Sequence, residues 1–202
     1  MPNNKDLPLY ELVIDENTKS DGVFAISIVD NPAIESNFQM FSSKKPIKFE
    51  TVSKDQQIIM GPAMIPDMKI IREDDRGLYN VFFSKDTVRA IAHKFMKESR
   101  NGSATVMHAE NVEGVSVIES WIVEDAQKDK SRYHGFTVPV GTWMVSQKIS
   151  NQTLWEDFIK SGELRGFSVE GFFDELSEFR KSKQSTELDK MDELKELFNS
   201  SK

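Results

Sequence analysis

The sequence predicts an α+β fold built mostly from antiparallel strands, arranged as a sheet or a small barrel, with a few helices. Many short apolar or alternating runs follow one another closely, separated by polar or Gly/Pro turns, which is typical of strands. Residues 84–99 instead place apolar residues at helical spacing. Residues 177–202 are rich in charge, and their apolar residues follow a helical period, which predicts an amphipathic tail.

The composition is that of a folded protein with one main domain. The chain has 202 residues, of which 38% are hydrophobic and 29% charged, well away from the signature of disorder. Because domains usually contain one to two hundred residues, we predict a main domain at residues 1–176. Residues 177–202 then form a charged tail whose amphipathic helix we expect to dock on a partner.

Charge and cysteine content narrow the range of functions. A net charge of -7 and an isoelectric point near 5.1 disfavour binding to nucleic-acid phosphates. The absence of cysteine excludes disulfides, thiolate metal sites and a thiol nucleophile. No basic region followed by an apolar run and no bilayer-length apolar segment occur. We therefore expect a soluble, unexported protein that contacts neither membrane nor nucleic acid.

The first half of the chain predicts a series of strands and then a helix. Ser84 is a good N-cap for that helix, whose apolar residues Val88, Ile91, Phe95 and Met96 share one face. The strands predicted before it are 9–15, 22–29, 47–53, 56–66, 68–73 and 77–83.

The second half continues with strands and one short helix. Asn151 can cap a helix in which Leu154, Phe158 and Ile159 cluster, and Gly162 ends it. The other predicted elements are a hairpin from runs 103–110 and 115–125, a surface loop at 126–139, a strand at 141–149 and a strand at 164–173.

The three histidines differ in their settings. His93 lies within the predicted helix and His134 in the polar loop, where a solvated side chain is the ordinary interpretation. His108 closes the apolar run "ATVM" and precedes polar residues. This places an imidazole at a sheet rim, where it can meet a side chain from a neighbouring strand. On local sequence alone, a purely structural role for His108 at the rim is an equally good interpretation.

No metal or nucleotide site is predicted. No two histidines have the i, i+4 spacing of a helical zinc site, and no calcium loop or glycine-rich phosphate loop occurs. We therefore expect no cofactor.

The stretch "RGFSVEGFF" presents a serine between two glycines, Gly166 and Gly171. Alternation along a strand places Ser168 and Glu170 on one face, opposite the face that carries Phe167. A serine hydrolase needs such a hydroxyl, an imidazole that takes its proton, and usually a third group that orients the imidazole. An ordinary strand serine is the alternative interpretation of Ser168.

Several motifs together resemble a known family. The ordered segments "GVFAISIVDNPAIE", "GPAMIPDMKIIR", "MHAENVEG", "ESWIVED", "PVGTWMVSQKI" and "WEDFIKSGELRGFSVEGFF" resemble the XkdF-like branch of tailed-phage prohead, or head maturation, proteases. The resemblance covers most of residues 20–174 and leaves the tail outside.

The resemblance implies a serine endopeptidase with a fold similar to the herpesvirus assemblins, a compact β-barrel surrounded by helices. Such enzymes cut scaffold and capsid proteins inside the immature head, in the host bacterial cytoplasm. The family's site combines a histidine at a strand end with a serine in a strand after a short helix. Carried over by motif, these are His108 of "MHAE" and Ser168 of "GFSVEG".

An acidic residue is expected as the third member of the site. Glu119 of "ESWIVED" is the first choice, since it lies on the strand after His108 and could support the imidazole across a hairpin. Asp125 at that strand's end and Glu170 on the serine's own face are the alternatives.

A second hypothesis is a non-catalytic capsid-assembly or scaffolding protein that keeps the protease fold. It predicts that His108 and Ser168 lie too far apart to share a proton. The oligomeric state stays open, and a homo-oligomer is compatible with the sequence.

Overall fold

The computed structural model describes residues 7–30, 48–53 and 56–176. These residues form a mixed α+β fold that consists mostly of strands, as predicted. The strands are β1 (Leu9–Val13), β2 (Gly22–Val29), β3 (Glu50–Ser53), β4 (Ile58–Met64), β5 (Ile70–Asp74), β6 (Gly77–Phe82), β7 (Ala104–Val106), β8 (Glu110–Asn111), β9 (Val115–Ile122), β10 (Trp143–Ile149), β11 (Gly166–Phe172) and β12 (Asp174–Glu175). The helices are α1 (Lys85–Lys97), a 3₁₀ turn (Arg100–Gly102), α2 (Lys130–Tyr133) and a π-helix (Leu154–Ile159).

The strands pair into three sheets of four. Sheet I has the order β12-β1-β6-β5, sheet II the order β3-β4-β10-β9, and sheet III the order β11-β2-β7-β8. Pairing is parallel between β1 and β6 and between β2 and β7. The other pairs are antiparallel, so the prediction of mostly antiparallel strands is confirmed.

The predicted barrel is not closed within the described part of the chain. Closure requires every strand to have a hydrogen-bonded neighbour on both sides, whereas each of the three sheets ends at strands paired on one side. Two of these end strands, β8 and β12, are only two residues long. The observed architecture is therefore three packed sheets and not a barrel.

Two further predictions need correction. The hairpin of 103–110 with 115–125 does not form, because β7 pairs with β2 and β8 while β9 pairs with β10. The segment predicted as a surface loop contains the turn α2 and two buried apolar side chains, Phe136 and Val138. The tail and its predicted amphipathic helix lie outside the described residues.

Helix α1 forms where it was predicted and packs into the main core. The Ser84 hydroxyl accepts a hydrogen bond from the backbone of Thr87 at 3.3 Å and caps the helix. The Phe95 ring packs edge to face on Trp143 with centroids 5.3 Å apart. Met96, predicted on the same face, is 43% exposed.

The second predicted helix is present but differently wound. Asn151 caps it through a 2.9 Å bond from the Leu154 backbone, and Gly162 follows it at a left-handed φ of 77°. Leu154 and Ile159 are both buried, while Phe158 is 37% exposed. The predicted cluster was therefore right for two of its three members.

Sheets II and III pack closely at one glycine. A side chain on Gly61 would meet Phe49 at 3.1 Å and the Phe167 ring at 3.2 Å. The rings of Phe49 and Phe167 lie 5.5 Å apart, and both are buried. This contact anchors the apolar face of β11 and leaves its other face for the polar side chains.

Within the described residues, we find no helix that combines the length and the apolar character of a membrane span.

Candidate active site

A row of hydroxyl side chains crosses sheet III. Ser168 on β11 lies opposite Ser27 on β2, and Ser27 lies opposite Thr105 on β7. Residues directly opposite each other on neighbouring strands share a face of the sheet. Ser27 and Thr105 are buried, whereas Ser168 is partly exposed. The three hydroxyls therefore form one polar row that opens toward solvent at Ser168.

His108 lies in the three-residue turn that joins β7 to β8. Its backbone N–H donates to the Ser27 hydroxyl at 3.0 Å, and the N–H of Met107 donates to the Ile28 carbonyl at 3.1 Å. Met107 and His108 both have left-handed φ, at 51° and 57°. Such a conformation costs a non-glycine residue about 1–3 kcal/mol, so the bonds to β2 hold the turn in a form it would not adopt alone.

The imidazole of His108 contacts the carboxylate of Glu170. The Nδ1 atom lies 3.2 Å from the Oε1 atom of Glu170. The Thr105 hydroxyl donates to the same oxygen, so the carboxylate is held from two sides. The His108 side chain is 40% exposed and that of Glu170 is 19% exposed. The pair is thus reachable from solvent while its geometry is restrained.

Ser168 lies beside both groups that position His108. It is opposite Ser27, which binds the His108 backbone, and it is two residues before Glu170 on the same strand face. Two strand residues span about 7 Å. The structure therefore brings Ser168, His108 and Glu170 onto one face of sheet III. Among the residues described, no hydrogen bond joins the side chains of Ser168 and His108.

A β-bulge follows Glu170. Glu170 pairs with Ala25, but Gly171 pairs with Val23, so Phe24 is the extra residue on β2. A side chain on Gly171 would meet the Gly22 carbonyl oxygen at 2.6 Å. Gly171 therefore permits a close approach by the chain's own backbone.

Glu119 lies in sheet II and not beside His108. Its carboxylate accepts hydrogen bonds from the Lys130 ammonium at 2.5 Å and from the Ser146 hydroxyl at 2.6 Å. Lys130, and to a smaller extent Ser146, lower the pKa of Glu119. The hairpin that was expected to bring Glu119 to the imidazole does not form.

The remaining candidates lie away from the imidazole. Asp125 accepts backbone hydrogen bonds from Gln127 and Lys128 in its own turn. His93 is exposed on α1, and His134 packs against the ring of Tyr133. Of the three acidic candidates, Glu170 is the one that contacts His108 in the described structure.

Two open clefts on the described surface lie along β9, with volumes of about 240 and 470 Å³. Both are lined by Ser120 and Trp121, and neither includes His108 or Ser168. The described residues contain no group of three His, Asp or Glu side chains that could hold a metal ion.

Sequence reasoning missed two residues of this site, Ser27 and Thr105. Each is a hydroxyl inside an otherwise apolar strand, "AISIV" and "ATV". A polar residue on a buried strand needs a hydrogen-bond partner, and that requirement was the available signal. Their partners, the His108 backbone and the Glu170 carboxylate, come from elsewhere in the chain.

Comparison with known proteins identifies the family. Residues 47–177 match the model of the family described as "Putative phage serine protease XkdF". No curated protein and no solved structure matches the chain, so the similarity to herpesvirus assemblins stays a prediction. The matched range contains His108, Ser168 and Glu170, and it covers more than half of the 202 residues. The chain therefore belongs to this family.

Proposed function

We propose that this protein is a serine endopeptidase that cleaves scaffold and capsid proteins inside the immature phage head, in the host cytoplasm. Ser168 is the nucleophile, His108 the general base, and Glu170 the group that orients the base. The observation that carries the proposal is the 3.2 Å contact between His108 Nδ1 and Glu170, on the sheet face that carries Ser168. Membership of a phage protease family supports it.

The contact with Glu170 determines which imidazole nitrogen can act. A carboxylate beside Nδ1 favours a proton on that nitrogen, which leaves Nε2 as the acceptor. The carboxylate also stabilises the imidazolium that forms when His108 takes a proton. Glu170 is therefore better placed for this role than Glu119, whose carboxylate is occupied by Lys130 and Ser146.

The reaction follows from these roles. The Ser168 Oγ attacks the peptide carbonyl while Nε2 of His108 takes the hydroxyl proton, and a tetrahedral intermediate forms. His108 then donates that proton to the leaving amine as the C–N bond breaks. Water attacks the resulting ester and gives its proton to His108. The ester C–O bond then breaks, the acid product leaves, and His108 returns the proton to the Ser168 oxygen, which restores both groups.

Thr105 and Ser27 position the machinery. The Thr105 hydroxyl holds Glu170 Oε1, and Ser27 holds the His108 backbone. These buried contacts restrain the base and its carboxylate before substrate binds. Such restraint matters because a small displacement of a reacting group slows catalysis strongly.

The proposal predicts that Ser168→Ala abolishes processing when the protein is co-expressed with the capsid and scaffold proteins of its phage. Gel analysis should show both substrates uncut, because the nucleophile is gone. A fluorophosphonate probe, which reacts with activated serines, should label the native protein but not the variant. Ser116→Ala is the matched control, since Ser116 is a partly exposed strand serine in sheet II.

Equal processing by Ser168→Ala and the native protein would overturn the proposal. The alternative is a non-catalytic assembly factor that keeps this fold. The absence of a side-chain hydrogen bond between Ser168 and His108 in the described structure favours it, although catalytic contacts often tighten only when substrate binds. For an assembly factor, Ser168→Ala should leave both probe labelling and head assembly unchanged.

A further inference from the structure

Two phenylalanine rings are exposed beside the candidate site. Phe172 on β11 is 62% exposed and Phe24 on β2 is 37% exposed. Their ring centroids lie 5.5 Å apart, so they form one apolar surface, here called the phenylalanine pair. Exposed phenylalanine is unfavourable in water, which makes such a pair a candidate contact for another apolar group.

The pair lies in line with the proposed nucleophile. Phe172 lies four residues after Ser168 on β11. Strand alternation therefore places it on the same face as Ser168 and Glu170. At about 3.3 Å per strand residue, the separation is about 13 Å. An extended peptide has nearly the same rise per residue, so its fourth residue from the scissile bond would reach the pair.

The β-bulge holds the pair in place. Phe24 is the extra residue of β2, and the close approach of Gly171 to the Gly22 carbonyl brings the two strands together at this point. Bulges redirect side chains and are common next to active sites. The bulge therefore sets the backbone positions from which the two rings extend.

The size of the pair favours a peptide side chain over a second protein surface. Two aromatic side chains bury at most about 300–500 Å² together, whereas a stable protein interface buries more than about 1,000 Å². One apolar side chain of an extended chain is a better match for this area.

We infer that the phenylalanine pair is a specificity subsite that binds an aromatic or branched aliphatic side chain of the substrate, about four residues from the scissile bond. The inference rests on the proposed peptidase function. It concerns recognition and not the chemical step, because neither ring touches the reacting atoms.

The test profiles cleavage of a peptide library prepared from a digested bacterial proteome, with new termini identified by mass spectrometry. The native protein should prefer apolar residues at about the fourth position on one side of the cut. Phe172→Ser and, separately, Phe24→Ser should reduce that preference roughly tenfold, while preferences at neighbouring positions stay. Phe158→Ser is the matched control, because Phe158 is as exposed as Phe24 but lies on the π-helix.

A second measurement separates this inference from the proposed function. Ser168→Ala protein, with and without Phe172→Ser, is incubated with an array of extended peptides that differ in one apolar residue. If the native protein cleaves and Phe172→Ser and Phe24→Ser leave the profile unchanged, the subsite is overturned and the peptidase stands. If nothing is cleaved but apolar peptides bind through Phe172, the peptidase is overturned and the apolar peptide site stands. If the protein neither cleaves nor binds these peptides, both the subsite and the peptidase function are overturned.

Discussion

Two glutamates in different sheets have nearly the same kind of surroundings. Glu170 in sheet III contacts the Thr105 hydroxyl and the His108 imidazole. Glu119 in sheet II contacts the Ser146 hydroxyl and the Lys130 ammonium.

Both clusters also lie beside a register shift. One shift follows Glu170 on β11, and the other lies between Ser146 and Gln147 on β10. Both clusters therefore combine a hydroxyl, a carboxylate and a register shift, so these three features cannot by themselves identify an active site.

The basic partner makes the difference. An imidazole exchanges its proton near neutral pH, whereas a lysine ammonium paired with a carboxylate stays charged. The second difference is the hydroxyl row, because Ser168 lies on the face of the Glu170 cluster. The proposed mechanism assigns proton transfer to the imidazole of the Glu170 cluster, whereas Lys130 in the Glu119 cluster forms an ion pair with the carboxylate.

The largest expected difference in activity is between substitutions of the two basic residues, His108 and Lys130. His108→Gln should lower kcat/KM by roughly 10⁴-fold or more, because the general base is lost. Lys130→Gln should stay within a few-fold of the native value. Steady-state assays with a cleaved peptide measure both, and equal losses in the two variants would remove the distinction between the clusters.

The next largest effect is expected when each of the two glutamates is replaced by glutamine. Glu170→Gln should reduce kcat/KM by roughly 10²- to 10⁴-fold, since an amide neither fixes the imidazole tautomer nor stabilises its charged form. Glu119→Gln should leave kcat/KM nearly unchanged. The reverse result would restore Glu119 as the third member of the site.

Gly171→Ala tests the bulge beside Glu170. The new methyl would meet the Gly22 carbonyl oxygen at 2.6 Å, and overpacking of this kind costs about 1–3 kcal/mol. Chemical denaturation should show a lower free energy of unfolding. Gly102→Ala is the control, because nothing lies within 4 Å of its added carbon; equal stability in both variants would contradict the close approach.

The smallest effect concerns the pH dependence of the Glu119 cluster. The pKa of Glu119 lies below its ordinary value of 4.5, chiefly because of Lys130. The stabilisation from this pair is therefore complete above pH 4.5 and is lost as pH falls through the lowered value.

Glu119→Gln should accordingly destabilise the protein by less than about 1 kcal/mol at pH 7, since the pair is largely exposed. Below the lowered pKa the difference should vanish. Denaturation curves of the native protein and the variant at both pH values give the comparison. A difference that persists in acid would show that Glu119 contributes by packing and not by charge.

Local pattern determined much of the fold. Strand alternation placed Ser168 and Glu170 on one face, opposite Phe167, and the structure shows Phe167 buried against Phe49. Capping chemistry located the start of α1 at Ser84. These features depend on neighbours within a few residues, so a sequence alone can predict them.

The partner of the imidazole was decided only by the tertiary structure. Nearness along the chain favoured Glu119, eleven residues from His108, over Glu170. The parallel pairing of β7 with β2 and the antiparallel pairing of β2 with β11 reversed that order by bringing together segments distant in sequence. Strand order depends on the packing of whole sheets. The same nonlocal packing decides whether the strands form three separate sheets or close into a barrel. The sequence by itself determined which groups point toward the same side of a strand, and the tertiary fold decided which strands lie next to each other.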